Sequence, residues 1–408
     1  MANTKTTLQT TFKYVQENGL NDLKPNSAIL QELAGSLKDS DKVGRKYLAA
    51  VALTQELGFT FGDGTAFTYE DDVAGTYDEI EVDPNPVVLK SRLSMEAADR
   101  MANQNKAVLS HVALRGGQMK TALMKMAEIE CFYGRTGVGK ITGTPSVSGD
   151  ATLTISDATW APGIWGGMEG AKLEARNGAT KINSNADLVL VSVDHDNKQI
   201  VVSGNATDLG NLAATHDIYF KGAYANGQYG IDYQMSHSGS IFGIDNSTYS
   251  LWKANTHAVG GSLTISEVLK GSAKAVSKGG LDEDSVLLVS ARGYESLNSD
   301  LAALRSFDSS YSEKAEVGNR GITYKAQFGK LEVIAHPFCK EGEAFLMPKK
   351  GLKKIGSTDI TFGIPGKEGE YVESLENVSA FQFLCRYSFQ VLISAPAKCV
   401  KYTGITYA

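Results

Sequence analysis

The chain has 408 residues, enough for about two or three domains, and its composition (42% hydrophobic, 21% charged, 9% aromatic) is that of a folded protein. The formal net charge of −6 argues against a dedicated nucleic-acid binder, which would carry a basic patch or tail. No apolar run reaches the ~18 residues of a membrane span, and the first residues lack the apolar centre of a signal peptide, so no membrane partner and synthesis in a cytoplasm are expected.

Residues 1–56 read as helical. One short helix around Thr10, Phe12 and Val15 ends at Gly19. Two further pieces carry Ile29, Leu30, Leu33 and Leu37, then Tyr47, Leu48, Val51 and Leu53, with Gly35 and Gly44 as interruptions. Residues 57–90 read as a long hairpin. Phe59 and Phe61 alternate with Thr60 in one arm, and Ile80 and Val82 alternate with Glu79, Glu81 and Asp83 in the other. From Tyr47 to Leu89 there are nine acidic residues and no Lys or Arg. A hairpin with one acidic face is ill suited to a core, and an isolated hairpin is marginal in water, so it is expected to lie on something else.

Residues 94–133 show the strongest helical stripe: Ala97, Met101, Val108, Val112, Met119, Leu123 and Met126, with Ser94 as cap and Gly116-Gly117 as an expected kink. A continuous rod would be about 60 Å long at ~1.5 Å per residue, longer than a compact enzyme needs. Residues 144–236 read as β-rich, with a hairpin around Asp194-His195-Asp196-Asn197 and a short helix in "PGIWGGMEGAKLEAR". Beyond them come a helix stopped at Gly279-Gly280, a buried strand and helix in "DSVLLVSARGYESLNSDLAALRSF", a strand meander over 321–356, and long terminal strands interrupted at Ala395-Pro396.

Several motifs invite a chemical reading, and each has a plainer one. Gly134, Gly139 and Lys140 match the G-x-x-x-x-G-K spacing of a phosphate-binding loop. Here, however, a helix precedes the glycines and strands follow, and Ile141 stands where a magnesium-binding hydroxyl is needed, so a helix end and turn are expected. The acidic set Glu70, Asp71, Asp72, Asp78, Glu79, Glu81 and Asp83 lacks calcium-loop spacing, and "DHDNK" has Lys198 where an acceptor belongs. Trp160 and Trp165 suggest a sugar platform but read first as core. The four cysteines, Cys131, Cys339, Cys385 and Cys399, lack zinc spacing. Lys349, Lys350, Lys353 and Lys354 form a basic patch that suits a solvated loop, phosphates, or the acidic hairpin of another copy. No catalytic set, metal site or cofactor site emerges, and no enzymatic activity is expected. The unsupported hairpin and overlong helix point to assembly instead.

The segments "LSMEAADRMANQNKAVLSHVALRGGQMKTALMKMAEIECFYG", "SVLLVSARGYESLNSDLAALRSFD" and "SAFQFLCRYSFQVLISAPAKCVKYTGI", in this order, resemble the spine helix, axial-domain strand and helix, and peripheral-domain strands of the Hong Kong 97 fold of tailed-bacteriophage major capsid proteins. The resemblance implies an α+β capsid fold. Its parts would be an N-terminal arm (1–56), an E-loop hairpin (57–90), the spine helix with part of the peripheral domain (91–143), and an inserted β-rich domain (144–236). The axial domain with part of the peripheral domain would follow (237–380), then peripheral C-terminal strands (381–408). It implies a coat protein that assembles through hexamers and pentamers into an icosahedral head around double-stranded DNA in a host bacterial cytoplasm. Scaffold, portal and cement proteins would be candidate further partners. The chain starts at Met1 and is expected to keep its N-terminal segment uncut. Phe59, Phe61, Phe67, Tyr69, Glu70, Asp71, Asp72, Tyr77, Glu79 and Glu81 would be the hairpin's contact residues. An encapsulin-like nanocompartment shell is the alternative of the same fold, and a nucleotide-binding enzyme is the alternative of another class.

Overall fold

A computed structural model describes residues 28–44, 46–96, 111–300, 322–362, 372–374 and 378–407. The expected helix before Gly19, residues 97–110 of the expected long helix and the end of the helix after the buried strand (301–321) lie outside the described residues. In chain order, helix α1 (Ile29–Ala34) precedes strands β1 (Tyr47–Ala52), β2 (Tyr77–Val82) and β3 (Val87–Ser94). Helix α2 (His111–Phe132) leads into β4 (Gly139–Ser148) and β5 (Asp150–Ile155), then α3 (Pro162–Trp165), β6 (Lys172–Asn177) and β7 (Thr180–Lys181). Next come β8 (Leu188–Asp194), β9 (Gln199–Ser203), α4 (Ala206–Gly210), β10 (Asp217–Phe220), α5 (Ala223–Asn226) and α6 (Ile231–Ser236). A small hairpin, β11 (Ser240–Ile241) and β12 (Ile244–Asp245), precedes β13 (Asn255–Gly261), α7 (Ile265–Gly279), β14 (Ser285–Val289) and α8 (Ala291–Ser299). The chain finishes with β15 (Ile322–Ala326), β16 (Gly329–Ala335), β17 (Ala344–Pro348), β18 (Leu352–Phe362), β19 (Val372–Ser374), β20 (Ala380–Ile393) and β21 (Val400–Ile405).

The described residues fall into two units, one drawn from 88–123 and 360–386, the other from 25–87, 124–359 and 387–408. In the first, β19 pairs antiparallel with β20 (Val372↔Phe383 to Ser374↔Phe381), and β3 also pairs with β20.

The second unit contains a ring of strands in the order β10-β4-β5-β9-β8-β6, closed because β6 also pairs with β10. Strand alternation sends one set of side chains inward: Ile141, Leu153, Ile155, Leu173, Leu190, Ile200, Val202 and Ile218 are all buried. The β-rich segment therefore starts at Gly139, earlier than residue 144, because Gly139 and Lys140 register against Ile218 and Asp217. The helix expected in "PGIWGGMEGAKLEAR" is only α3; after a turn over 166–171 the end of that stretch becomes β6, held in the ring by β8 and β10.

A six-stranded sheet, order β13-β21-β17-β14-β16-β15, lies in the same unit. Every residue of β14 is buried, as expected of a strand with neighbours on both sides. It stands between β16 and β17, so 321–356 is not a simple meander: β14 pairs parallel with β16 and antiparallel with β17. Helices α7 and α8 share a core with this sheet through Val268, Ala275, Leu297, Leu287 and Val289. Local chemistry sets their ends: Thr264 and Ser290 are side-chain caps, and Gly280 stops α7 in the left-handed region. The last strand, β21, belongs to this sheet, not with β20. Pro396 and a tight helical turn at Pro396–Lys398 break the ladder and redirect the chain.

Two expectations for the N-terminal third are corrected. Tyr47–Ala52 is a strand, not helix, since it pairs residue by residue with β2 from Tyr47↔Val82 to Ala52↔Tyr77. Tyr47, Leu48 and Val51 fit either period, and the waiting partner strand decides. The hairpin's arms are therefore β1 and β2, whereas Phe59–Phe61 lies in the connecting loop. The base is also not coreless: Ile80 and Val82 are buried with Ile241, Phe242, Ile244 and Trp252.

Candidate assembly surface

Between β1 and β2 the chain makes a long excursion over residues 53–76, held by few bonds. Thr54 Oγ1 accepts from the Thr76 amide at 2.7 Å, and Leu57 and Val73 exchange amide–carbonyl bonds of 2.8 and 2.9 Å. Farther out, Thr60 Oγ1 accepts from the Glu70 amide at 2.9 Å. At the tip, Asp63 accepts from the Thr65 hydroxyl and amide, and these bonds hold its carboxyl below the usual range. Beside it, a Cβ at Gly62 would lie 2.3 Å from the exposed Phe67 ring, so a side chain there would displace that ring.

The excursion carries large apolar groups that the chain itself does not cover. Phe59 is 70% exposed, Phe61 94% and Tyr69 81%, and Phe67 and Tyr77 are also exposed. Phe67 and Tyr69 meet edge to face at 5.9 Å. Glu70, Asp71, Asp72, Glu79 and Glu81 are exposed as well, and among the described residues none of Glu70, Asp71 and Asp72 pairs with a cation. Glu81 differs: it takes Lys46 Nζ at 2.6 Å at the hairpin base. These exposed aromatics form a large uncovered apolar surface on one excursion.

The basic patch is only partly as expected. Lys350 and Lys353 are exposed and carry no ion pair among the described residues. Lys349 pairs with Glu332 at 2.5 Å. Lys354 is buried, 3.4 Å from both Asp359 oxygens and over the Phe389 ring at 4.5 Å, because its position in β18 points inward. The four lysines are thus not one solvated loop. All four nevertheless line one cleft of about 490 Å³, together with Lys38 and Asp41.

The other motifs resolve into structure. Gly134 sits in the turn after α2 with φ of 39°, and a Cβ there would lie 2.0 Å from the Gln228 carbonyl oxygen. The amides that would cradle phosphate are already spent: Arg135 on Gln228, Val138 on Ile218 and Ile141 on His216. Asp194 accepts from the Asp196 and Asn197 amides and the Asn197 side chain, which makes "DHDNK" a hairpin turn. Trp160 and Trp165 stack on each other, fully buried. All four cysteines are buried and unpaired, and no metal-binding group of His, Cys, Asp and Glu occurs among the described residues. No described helix is long and apolar enough to cross a membrane.

Sequence reasoning missed the buried charges. Glu128, on α2, accepts from the Leu30 and Gln31 amides at 2.6 and 3.2 Å and so caps α1, whose own N-cap residue, Ala28, supplies no side chain for the purpose. His336 Nδ1 accepts from the Phe338 amide, so Nε2 carries the proton and donates to Glu128 at 3.1 Å. Two positions on, Glu130 accepts from the Gln228 amide at 3.0 Å, and burial pushes its carboxyl up to about 7. Glu128 and Glu130 interrupt the apolar stretch "MAEIECF", which was the available signal.

No family model and no curated protein matches this chain. Among solved structures, a chain of the cyanophage A-1(L) capsid asymmetric unit is similar over 99% of this chain and 100% of its own, with a TM-score of 0.59 and 11% identity. A chain of the capsid of a native GTA particle, computed with C5 symmetry, matches over 100% of both chains at a TM-score of 0.51 and 6% identity. A chain of the holo-SrpI encapsulin complex from Synechococcus elongatus is also similar, with a TM-score of 0.45 and 8% identity. The chain therefore has the fold of phage capsid chains, mixed α and β.

Proposed function

We propose that this chain is the major capsid protein of a tailed bacteriophage, assembling through hexamers and pentamers into an icosahedral head that encloses double-stranded DNA. The observation that carries the reading is the 53–76 excursion: exposed aromatics, and carboxylates with no cation among the described residues, on a chain with a phage-capsid fold end to end. Such a surface is costly in a solitary molecule and useful where a neighbour covers it. The excursion is the extended loop, α2 the end of the spine, and the closed strand ring the inserted domain. No catalysis is assigned to it.

The acidic part of the excursion is proposed to meet the lysine cleft of another copy. Among the described residues, Glu70, Asp71 and Asp72 have no cation of their own, and Lys350 and Lys353 have no anion. One exposed ion pair contributes only about 0–1 kcal/mol, but a closed shell repeats it in every subunit. The triple change Glu70→Lys, Asp71→Lys, Asp72→Lys is expected to abolish fast-sedimenting particles in ultracentrifugation. Adding Lys350→Glu and Lys353→Glu is expected to restore them in part. Particles unaffected by the triple change would refute this pairing.

A further inference from the structure

One lysine and two carboxyl groups meet inside the second unit, away from the exposed surface described above. Lys401 is the second residue of β21, Asp232 the second of α6, and Glu343 directly precedes β17, the neighbour of β21. Lys401 Nζ contacts Asp232 Oδ1 and lies 3.0 Å from Glu343 Oε1. The side chains of Asp232, Lys401 and Glu343 are 1%, 8% and 17% exposed, and the Phe345 ring lies beside the amine.

As a plain ion cluster this arrangement is poorly satisfied. Asp232 Oδ2 and Glu343 Oε2 are buried with no hydrogen-bond partner among the described residues. The nearby Lys340 ammonium is spent on the Gly137 carbonyl at 3.0 Å. A buried carboxylate with an empty acceptor site is costly, and a buried ion pair repays its desolvation only when its remaining groups are bonded.

We propose that Lys401 and Asp232 condense to an amide within the chain, with Glu343 moving the protons. Burial works against the charge on Lys401, but Asp232 and Glu343 together hold its amine on the charged side, so the step begins with a proton passing from that ammonium to the Asp232 carboxylate, which leaves a neutral amine and a neutral acid. The amine attacks Asp232 Cγ and a C–N bond forms. Glu343, as an acid, protonates the departing hydroxyl and takes back a proton from the new nitrogen. One C–O bond breaks, one water leaves, Glu343 ends as it began, and nothing is oxidised or reduced. Holding amine and carboxyl in contact supplies the proximity that such a step lacks in water. Burial and the neighbouring Asp232 both push the Glu343 carboxyl up, toward the protonated form this role requires. The product removes two buried charges and keeps an N–H to donate to Glu343.

The amide would tie α6 to β21 across 169 positions of sequence. It stands whether or not the chain builds shells. The test is mass spectrometry of the folded full-length chain after denaturation. The expected mass is lower than that of the linear sequence by one water, about 18 Da. Trypsin would spare Lys401 and yield a branched peptide joining residues 222–253 to 399–408. Lys401→Arg and Asp232→Ala are expected to restore the full mass, and Glu343→Gln to leave most chains unlinked. A folded wild-type chain of full mass, cleaved after Lys401 and with both peptides linear, would overturn the proposal without recourse to any variant.

Discussion

Glu130 shows how one side chain ties this fold to pH. Its carboxyl titrates near 7 in the folded chain because burial disfavours the charge. The folded state therefore binds a proton more tightly than the unfolded state does. The stability this confers is full below the unfolded value near 4.5 and falls as pH rises through about 7. The loss amounts to a few kcal/mol, roughly 3 by linkage. Glu130→Gln keeps an acceptor for the Gln228 amide and cannot ionise. It is expected to flatten the decline, gaining about 1–3 kcal/mol at pH 8 in denaturant melts and little at pH 5. Gly134 makes a steric argument at the same scale. Gly134→Ala drives a methyl into the Gln228 carbonyl and is expected to cost about 2–4 kcal/mol in thermal unfolding. A loss below about 0.5 kcal/mol would mean the turn relaxes freely. The sequence hinted at this residue, but for a phosphate. Its spacing to Gly139 and Lys140 was visible, whereas the carbonyl it accommodates comes from 94 residues farther along the chain, read as Gln228 minus Gly134.

Elements were legible where one period dominated. "SVLLV" reads as a buried strand and "ISEVLKGSAKAVSKG" as a capped helix, and both are so. Tyr47–Ala52 was misread because six residues with three alanines support both periods, and only the β2 ladder chooses. The same ladder moves the hairpin arms away from Phe59–Phe61 and exposes those rings. Buried charges stayed hidden for another reason: Glu128, Asp232 and Lys401 are tolerated by partners about 100 to 200 positions distant, beyond any local pattern. This anatomy sets the bounds of a deletion test. Removing residues 58–72 and closing the gap with a short turn spares Ile80 and Val82, which belong to the core. The subunit is expected to keep its melting temperature within about 2 °C, a shift of well under 1 kcal/mol, yet to form no shells. A large drop in melting temperature would instead make the excursion part of the fold's own support.

At the scale of the whole molecule, the order of elements was more legible than their partners. A helix, a β-rich segment, alternating helices and strands, and terminal strands follow the chain in the expected order, but the β-rich segment closes into a ring, β21 returns to the six-stranded sheet and β14 divides the meander. Weak contacts at the excursion gain force only by repetition, so assembly is a property of many copies and not of one. Electron microscopy of the purified, unmodified chain tests this most directly. The account predicts closed, regular round shells built of hexamers and pentamers. A monodisperse population of single subunits, at every protein and salt concentration that keeps the chain folded, would contradict it.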